Sequence, residues 1–173
     1  RRVLFLSNTG TLFLDEIADL EMNVQAKLLG VIQERELVRL GGTETISLDV
    51  RILTATHKNL SALVNEGKFR QDLYYRLLGL PIELPPLRQR GNDIILLAKH
   101  FVNEFCRENN LPEKSFSKEA VDKLLSYPFP GNIRELKSVI ELAVTISDND
   151  EIEGGNIILG NEALLPKEAD MEM

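Results

Sequence analysis

The spacing of apolar and polar positions changes several times along the chain. Residues 3–6 and 11–14 are short apolar runs rich in strand formers, separated by the turn-prone Ser7-Asn8-Thr9-Gly10. The second run stops at Asp15-Glu16, so two carboxylates stand at a strand's exit. Over residues 22–34 the period becomes helical: Val24, Leu28, Val31 and Ile32 share a face, leaving Gln25, Lys27 and Gln33 for water. Gly41-Gly42 joins residues 37–40 to 46–48 as a hairpin, and residues 50–56 read as a buried strand ending in small polar residues. Short helices are expected over 60–66, stopped by Gly67, and over 71–77, before an apolar run at 80–84. Pro85-Pro86 then removes two backbone donors and fixes two φ angles, which places a domain boundary there.

Beyond the prolines only helical periods remain, over 94–107, 118–126 and 133–146, which predicts a small three-helix bundle. Ser117 stands where an N-cap belongs. Asn132 followed by Glu135 resembles a reciprocal capping pair, and Leu136, Val139, Ile140, Ala143 and Val144 form the buried stripe of the last helix.

Composition fits an ordinary globular core, with 43% hydrophobic and 27% charged residues in 173. The net charge of −7 is carried by residues 148–173, where eight acids face Lys167 alone; the rest of the chain holds 19 acids and 19 bases. A chain without basic excess lacks the electrostatic term that supplies most nucleic-acid affinity, so no direct DNA binding is expected. The acidic stretch reads as a solvated linker or tail. The longest apolar run, residues 94–98, is far too short to span a bilayer. The single Cys106 cannot form an internal disulfide, and His57 and His100 lack the neighbours of a zinc site. A cytoplasmic location is the expectation.

The chemistry concentrates in GTLFLDEI, residues 10–17. Carboxylates just past an apolar strand lie at the C-terminal edge of a sheet, where Asp15 could hold a hard cation and Glu16 could polarise a water. An acidic turn on a solvated surface has the same pattern. Taken in order, however, GTLFLDEI, VQAKLLGVIQERELVRLGG, VRILTATH, FRQDLYYRL, LPPLRQR and PGNIRELK resemble the AAA+ ATPase domain of sigma-54-dependent transcriptional activators, the bacterial enhancer-binding proteins, from about residue 4 to 147.

That resemblance implies an α/β fold: the C-terminal part of a AAA+, P-loop NTPase-like parallel sheet with flanking helices over residues 1–86, a helical lid over 87–147, and the acidic tail at 148–173. It implies that Asp15 and Glu16 are the Walker B pair, with Asp15 on magnesium. Arg70 and Arg76 match arginine fingers that reach a neighbouring subunit's ATP, although capping a helix or pairing with Asp72 explains either arginine equally well; Thr56 and His57 fall at the sensor I position, and Arg134 matches sensor II. ATP and magnesium are the implied cofactors. Self-association into a ring and contact with sigma-54 RNA polymerase are the implied partnerships, the loop around Gly41-Gly42 supporting the latter, although a plain hairpin turn explains those glycines equally well.

The chain also departs from the family. His57 replaces the usual asparagine of the ATN triplet, Phe5 and Thr9 interrupt the usual lead-in to Walker B, and no G-x-x-x-x-G-K-[ST] occurs in the 173 residues. Without that cradle of backbone amides and its lysine nothing holds the β- and γ-phosphates. Two functions follow as expectations: part of an ATPase whose whole couples hydrolysis to promoter opening, or a non-enzymatic segment acting through protein contacts, with the 173 residues alone inactive.

Overall fold

The computed structural model describes residues 9–38 and 45–160; the expected strand at 3–6 and the Gly41-Gly42 turn lie outside them. The chain divides into two compact units between Ile82 and Glu83.

In the first unit β1 (Thr11–Leu14) and β4 (Arg51–Thr54) pair in parallel, Thr11 opposite Arg51 and Leu14 opposite Thr54. Between them run α1 (Met22–Glu34) and the antiparallel pair β2 (Glu36–Val38) and β3 (Thr45–Ser47). Helix α1 stops at Arg35, whose φ of 53° breaks the helical path while its N–H still donates to Val31 O at 3.0 Å. Two short helices follow, α2 (Leu60–Asn65) and α3 (Gln71–Leu77). Asn59 caps α2 by accepting from Ala62 N at 3.1 Å, and Gly67, at φ 69°, supplies the left-handed turn after it.

The core of this unit is Ile17, Leu28, Leu29, Phe69 and Leu73, with Leu14, Ile32 and Leu63 packed around it. Two sequence expectations fail here. The strand expected to be buried over 50–56 is shorter, and Leu53 is 42% exposed beside Phe13 at 58%, because the described chain covers only one side of the β1–β4 pair. Gln25, expected in water, is fully buried: with Leu28, Leu29 and Ile32 it follows the i, i+3, i+4, i+7 stripe that faces the core. The run at 80–84 adopts no regular structure, and Leu80 and Ile82 are exposed.

The second unit contains α4 (Asp93–Glu108), α5 (Lys118–Ser126) and α6 (Asn132–Ile146), joined by a parallel bridge between β5 (Ser115–Phe116) and β6 (Glu151–Ile152). Ser117 caps α5 as expected, accepting from Ala120 N at 3.1 Å. The cap of α6 is built differently from the expected reciprocal pair. Asn132 opens α6 in a left-handed conformation, at φ 53°, and its Oδ1 accepts from Leu87 N at 2.9 Å, while Glu135 accepts from Gly131 N at 2.7 Å and from the Tyr127 hydroxyl at 2.9 Å. The Asn132 side chain is spent on the segment after the two prolines, so Glu135 reaches one residue further back.

The tail expectation is corrected as well. Residues 148–160 are part of this unit: β6 pairs with β5, and Ile152, Ile157 and Leu159 join a core with Leu124, Phe129, Leu136 and Ile140. The acids at 150, 151 and 153 are exposed while the apolar residues between and after them turn inward, so the charge count alone concealed a packed segment.

Candidate functional site

The candidate site is the C-terminal edge of the β1–β4 pair. Parallel pairing brings both strand exits to one end, and backbone bonds carry the pairing past the last ladder residues: Ala55 N donates to Leu14 O and Ile17 N donates to Ala55 O, each at 3.0 Å. Ile17 is buried to 1% exposure and anchors the chain immediately after the two acids. Between strand and anchor the backbone must turn sharply, and Glu16 does so at φ 50°, ψ 46°. A left-handed conformation in a non-glycine residue costs about 1 kcal/mol or more, strain of the kind that gathers at working sites. Asp15 Oδ1 accepts from Glu16 N at 3.0 Å, and both side chains remain exposed.

The β4 exit supplies the facing wall. His57 Nδ1 donates to Glu16 Oε2 at 2.8 Å. Thr56 Oγ1 accepts from Lys58 N at 3.1 Å, which shapes the turn that presents His57. Lys58 pairs with Asp19, whose carboxyl is held below its usual range chiefly by that hydrogen bond, tying the two exits together once more. The structure thus assembles Asp15, Glu16, Thr56 and His57 at one edge, from stretches about forty residues apart in sequence.

Arg70 and Arg76 stand elsewhere. Arg70 is the N-cap of α3, and its guanidinium forks onto Asp72, with Nε donating to Oδ1 at 3.0 Å and an Nη to Oδ2 at 2.7 Å. That bidentate pair raises the arginine's pKa and lowers the aspartate's. Arg76, in the last turn of α3, lines a cleft of about 490 Å³ with Arg35, Arg51, Ile52 and Tyr75. Arg51 and Ile52 begin β4, whereas His57 lies past its end, roughly 15–20 Å away along an extended chain. Arg76 therefore lies beside the start of β4, and Asp15, Glu16 and His57 are not among the residues lining its cleft. Arg134 lies in the second unit, in the first turn of α6, exposed, and no carboxylate pairs with it among the described residues.

Asp15 could supply a single carboxylate oxygen to a hard cation. No group of three or more His, Cys, Asp or Glu side chains capable of holding a cation occurs among the described residues. Asp15 is one exposed carboxylate at a sheet edge, which fits an ion that takes one or two protein oxygens and completes its shell with phosphate and water. No helix among the described residues is long and apolar enough to cross a membrane.

Sequence reasoning missed Gln25, although its place on the apolar stripe of α1 was a readable signal. It also missed the Asn132–Leu87 bond, for which local sequence holds no cue.

Comparison with known proteins fits this geometry. The Sigma-54 interaction domain family matches residues 3–83 and the AAA+ ATPase lid domain family matches 88–160. The nitrogen fixation protein AnfA of Azotobacter vinelandii is 51% identical over 148 residues, covering 86% of this chain and 28% of AnfA. The transcriptional regulatory protein ZraR of Escherichia coli K12 is 52% identical over 143 residues, covering 83% of this chain and 32% of ZraR. Among solved structures, NtrX from Brucella abortus in complex with ATP superposes with a TM-score of 0.83 at 30% identity, over 97% of this chain and 40% of that one. The chain thus spans about a third or less of the length of these curated relatives. From the acid-bearing strand exit through the helical unit, it belongs to the AAA+ family of sigma-54-dependent transcriptional activators, as a sigma-54 interaction segment followed by its lid.

Proposed function

We propose that this segment supplies the hydrolytic edge, the trans-acting arginines and the lid of an ATP-driven ring that opens promoter complexes of sigma-54 RNA polymerase. The observation that carries the reading is the juxtaposition of Asp15 and Glu16 with Thr56 and His57 at one edge, with Glu16 held by His57 at 2.8 Å. Asp15 would hold magnesium, which when bound neutralises phosphate charge. Glu16 would orient and deprotonate the attacking water, and His57 would hold that carboxylate in register at the sensor I position.

Arg76 lines a cleft at the start of β4 that none of the acid-edge residues line, which supports a role on a neighbour's phosphates; Arg70 precedes it at the N-cap of the same helix, about 9 Å along the axis. Arg134, exposed at a helix N-terminus and without a carboxylate partner among the described residues, would follow nucleotide state from the lid. The 173 residues contain no phosphate-cradling G-x-x-x-x-G-K-[ST], which supports a second reading for the chain by itself: contact with homologous subunits without turnover.

The test is a chimera in which this segment replaces the matching stretch of an ATP-hydrolysing sigma-54 activator. The chimera should hydrolyse ATP, and Glu16→Gln and Arg76→Ala should each lower kcat by about 10²-fold or more. Mixing the two inactive variants should restore part of the activity, since some interfaces then combine an intact glutamate with an intact arginine. A mixture as inactive as its parts removes the trans role.

A further inference from the structure

The link between α2 and α3 is held by one buried amide. Gln25, in the first turn of α1, is 0% exposed within the core of the first unit. Its Nε2 donates to the carbonyls of Leu20 at 2.7 Å and Lys68 at 3.2 Å, and its Oε1 accepts from the N–H of Arg70 at 2.9 Å. Both amide hydrogens and the oxygen are committed, all to main chain. Lys68 and Arg70 flank Phe69, whose ring is 2% exposed, so residues 68–70 are pinned by a polar clamp and an apolar anchor together. The third partner, Leu20, closes the turn that starts at Glu16.

A leucine would fill this place in the stripe without the desolvation that an amide incurs, so burial does not explain the glutamine. What it holds does. Glutamine alone offers two donors and an acceptor at this reach: glutamate lacks the donors, asparagine is a methylene shorter, and methionine has neither function. Arg70 needs such support. It stands at the N-cap of α3 with its side chain forked onto Asp72, so its backbone position fixes where the guanidinium starts.

We propose that Gln25 is a positioning residue for Arg70, fixing the backbone from which the guanidinium is presented to a neighbouring subunit's phosphates. This rests on the role given to Arg70 above.

The full chain is mixed with subunits of an ATP-hydrolysing sigma-54 activator that keep their own phosphate loop and acid pair but carry alanine at the positions matching Arg70 and Arg76. The unaltered chain should restore hydrolysis and Arg70→Ala should not. No restoration by the unaltered chain removes the role of Arg70 and this proposal with it. Given restoration, Gln25→Leu should lower kcat at saturating chain by about tenfold or more, the scale of a small misplacement, without changing KM for ATP or the chain concentration of half-effect.

Gln25→Met keeps the reach and most of the volume but makes none of the three bonds, so its kcat should fall as far as that of Gln25→Leu, and it carries the test if Gln25→Leu does not fold. Leu28→Ala opens the same core without touching the clamp and should keep most of the kcat despite a lower melting temperature. In Gln25→Leu, hydrogen exchange at the Arg70 amide should quicken by about tenfold or more relative to the amides of α1. Unaltered kcat in the Gln25 variants, or an equal loss in Leu28→Ala, overturns the proposal while leaving the role of Arg70 intact.

Discussion

The two units of this chain are stabilised in different ways. Among the described residues the second unit holds one continuous cluster of seventeen buried residues, drawn from its three helices, the α5–α6 connection at Phe129, the segment after the prolines and residues 152–159. The first holds a cluster of five, and both units leave large apolar residues exposed, Phe13 and Tyr75 in the first and Leu84 and Leu96 in the second. Burying a large aliphatic side chain contributes about 1.5–3 kcal/mol, so the lid has the larger share of the apolar stabilisation. The acid pair, the left-handed Glu16 and the buried amide all sit in the unit with the smaller core. Left-handed non-glycine residues occur in both units, Glu16 and Arg35 in the first and Phe129 and Asn132 in the second, so what separates the units is the size of the apolar core.

That contrast can be broken by substitution. Leu136→Ala, at a fully buried position of α6, should cost about 3–4 kcal/mol and speed exchange of amides throughout the second unit while leaving α1 and α3 unchanged. Equal loss in both units would mean that they do not unfold separately. Leu28→Ala in the smaller core should cost about 2–3 kcal/mol and spare the lid in the same experiment. Ser117→Ala, which removes the oxygen that accepts from Ala120 N, should cost about 1 kcal/mol and act on the lid alone, visible as a fall in its melting temperature.

The smallest effects are electrostatic. The Arg70 hydrogen bond holds Asp72 below the usual 3.8, and the Lys137 hydrogen bond holds Glu104 below the usual 4.5. Because both folded values are depressed, each pair contributes above the unfolded pKa, and the contribution is lost as pH falls through the folded one. Both pairs are solvent-screened, so little stability changes. Carboxyl NMR should give a midpoint for Asp72 below the usual value, returning toward it in Arg70→Ala; an unmoved midpoint would show that the fork is not populated.

Much of this was legible in the residues. The period of the apolar positions marked α1 and α3, Ser117 announced its cap, and DEI after an apolar run marked the acid edge. Three of the failures share a cause: a residue's local type was outvoted by a distant partner. Gln25 is polar and buried because main-chain groups at residues 20, 68 and 70 need it. Asn132 does not cap because Leu87 takes its oxygen, and an acid-rich segment folds inward because Ile152 and Ile157 have a core to enter. The 2.8 Å contact of His57 with Glu16 depends on strand pairing, which no spacing within either motif states.

The most direct test of the central claim is single-turnover chemistry in the chimera carrying Glu16→Gln. The account predicts that this variant binds ATP in the presence of magnesium and retains it uncleaved, with phosphate release slowed by about 10²-fold or more. Phosphate released at the rate of the unsubstituted chimera would contradict it.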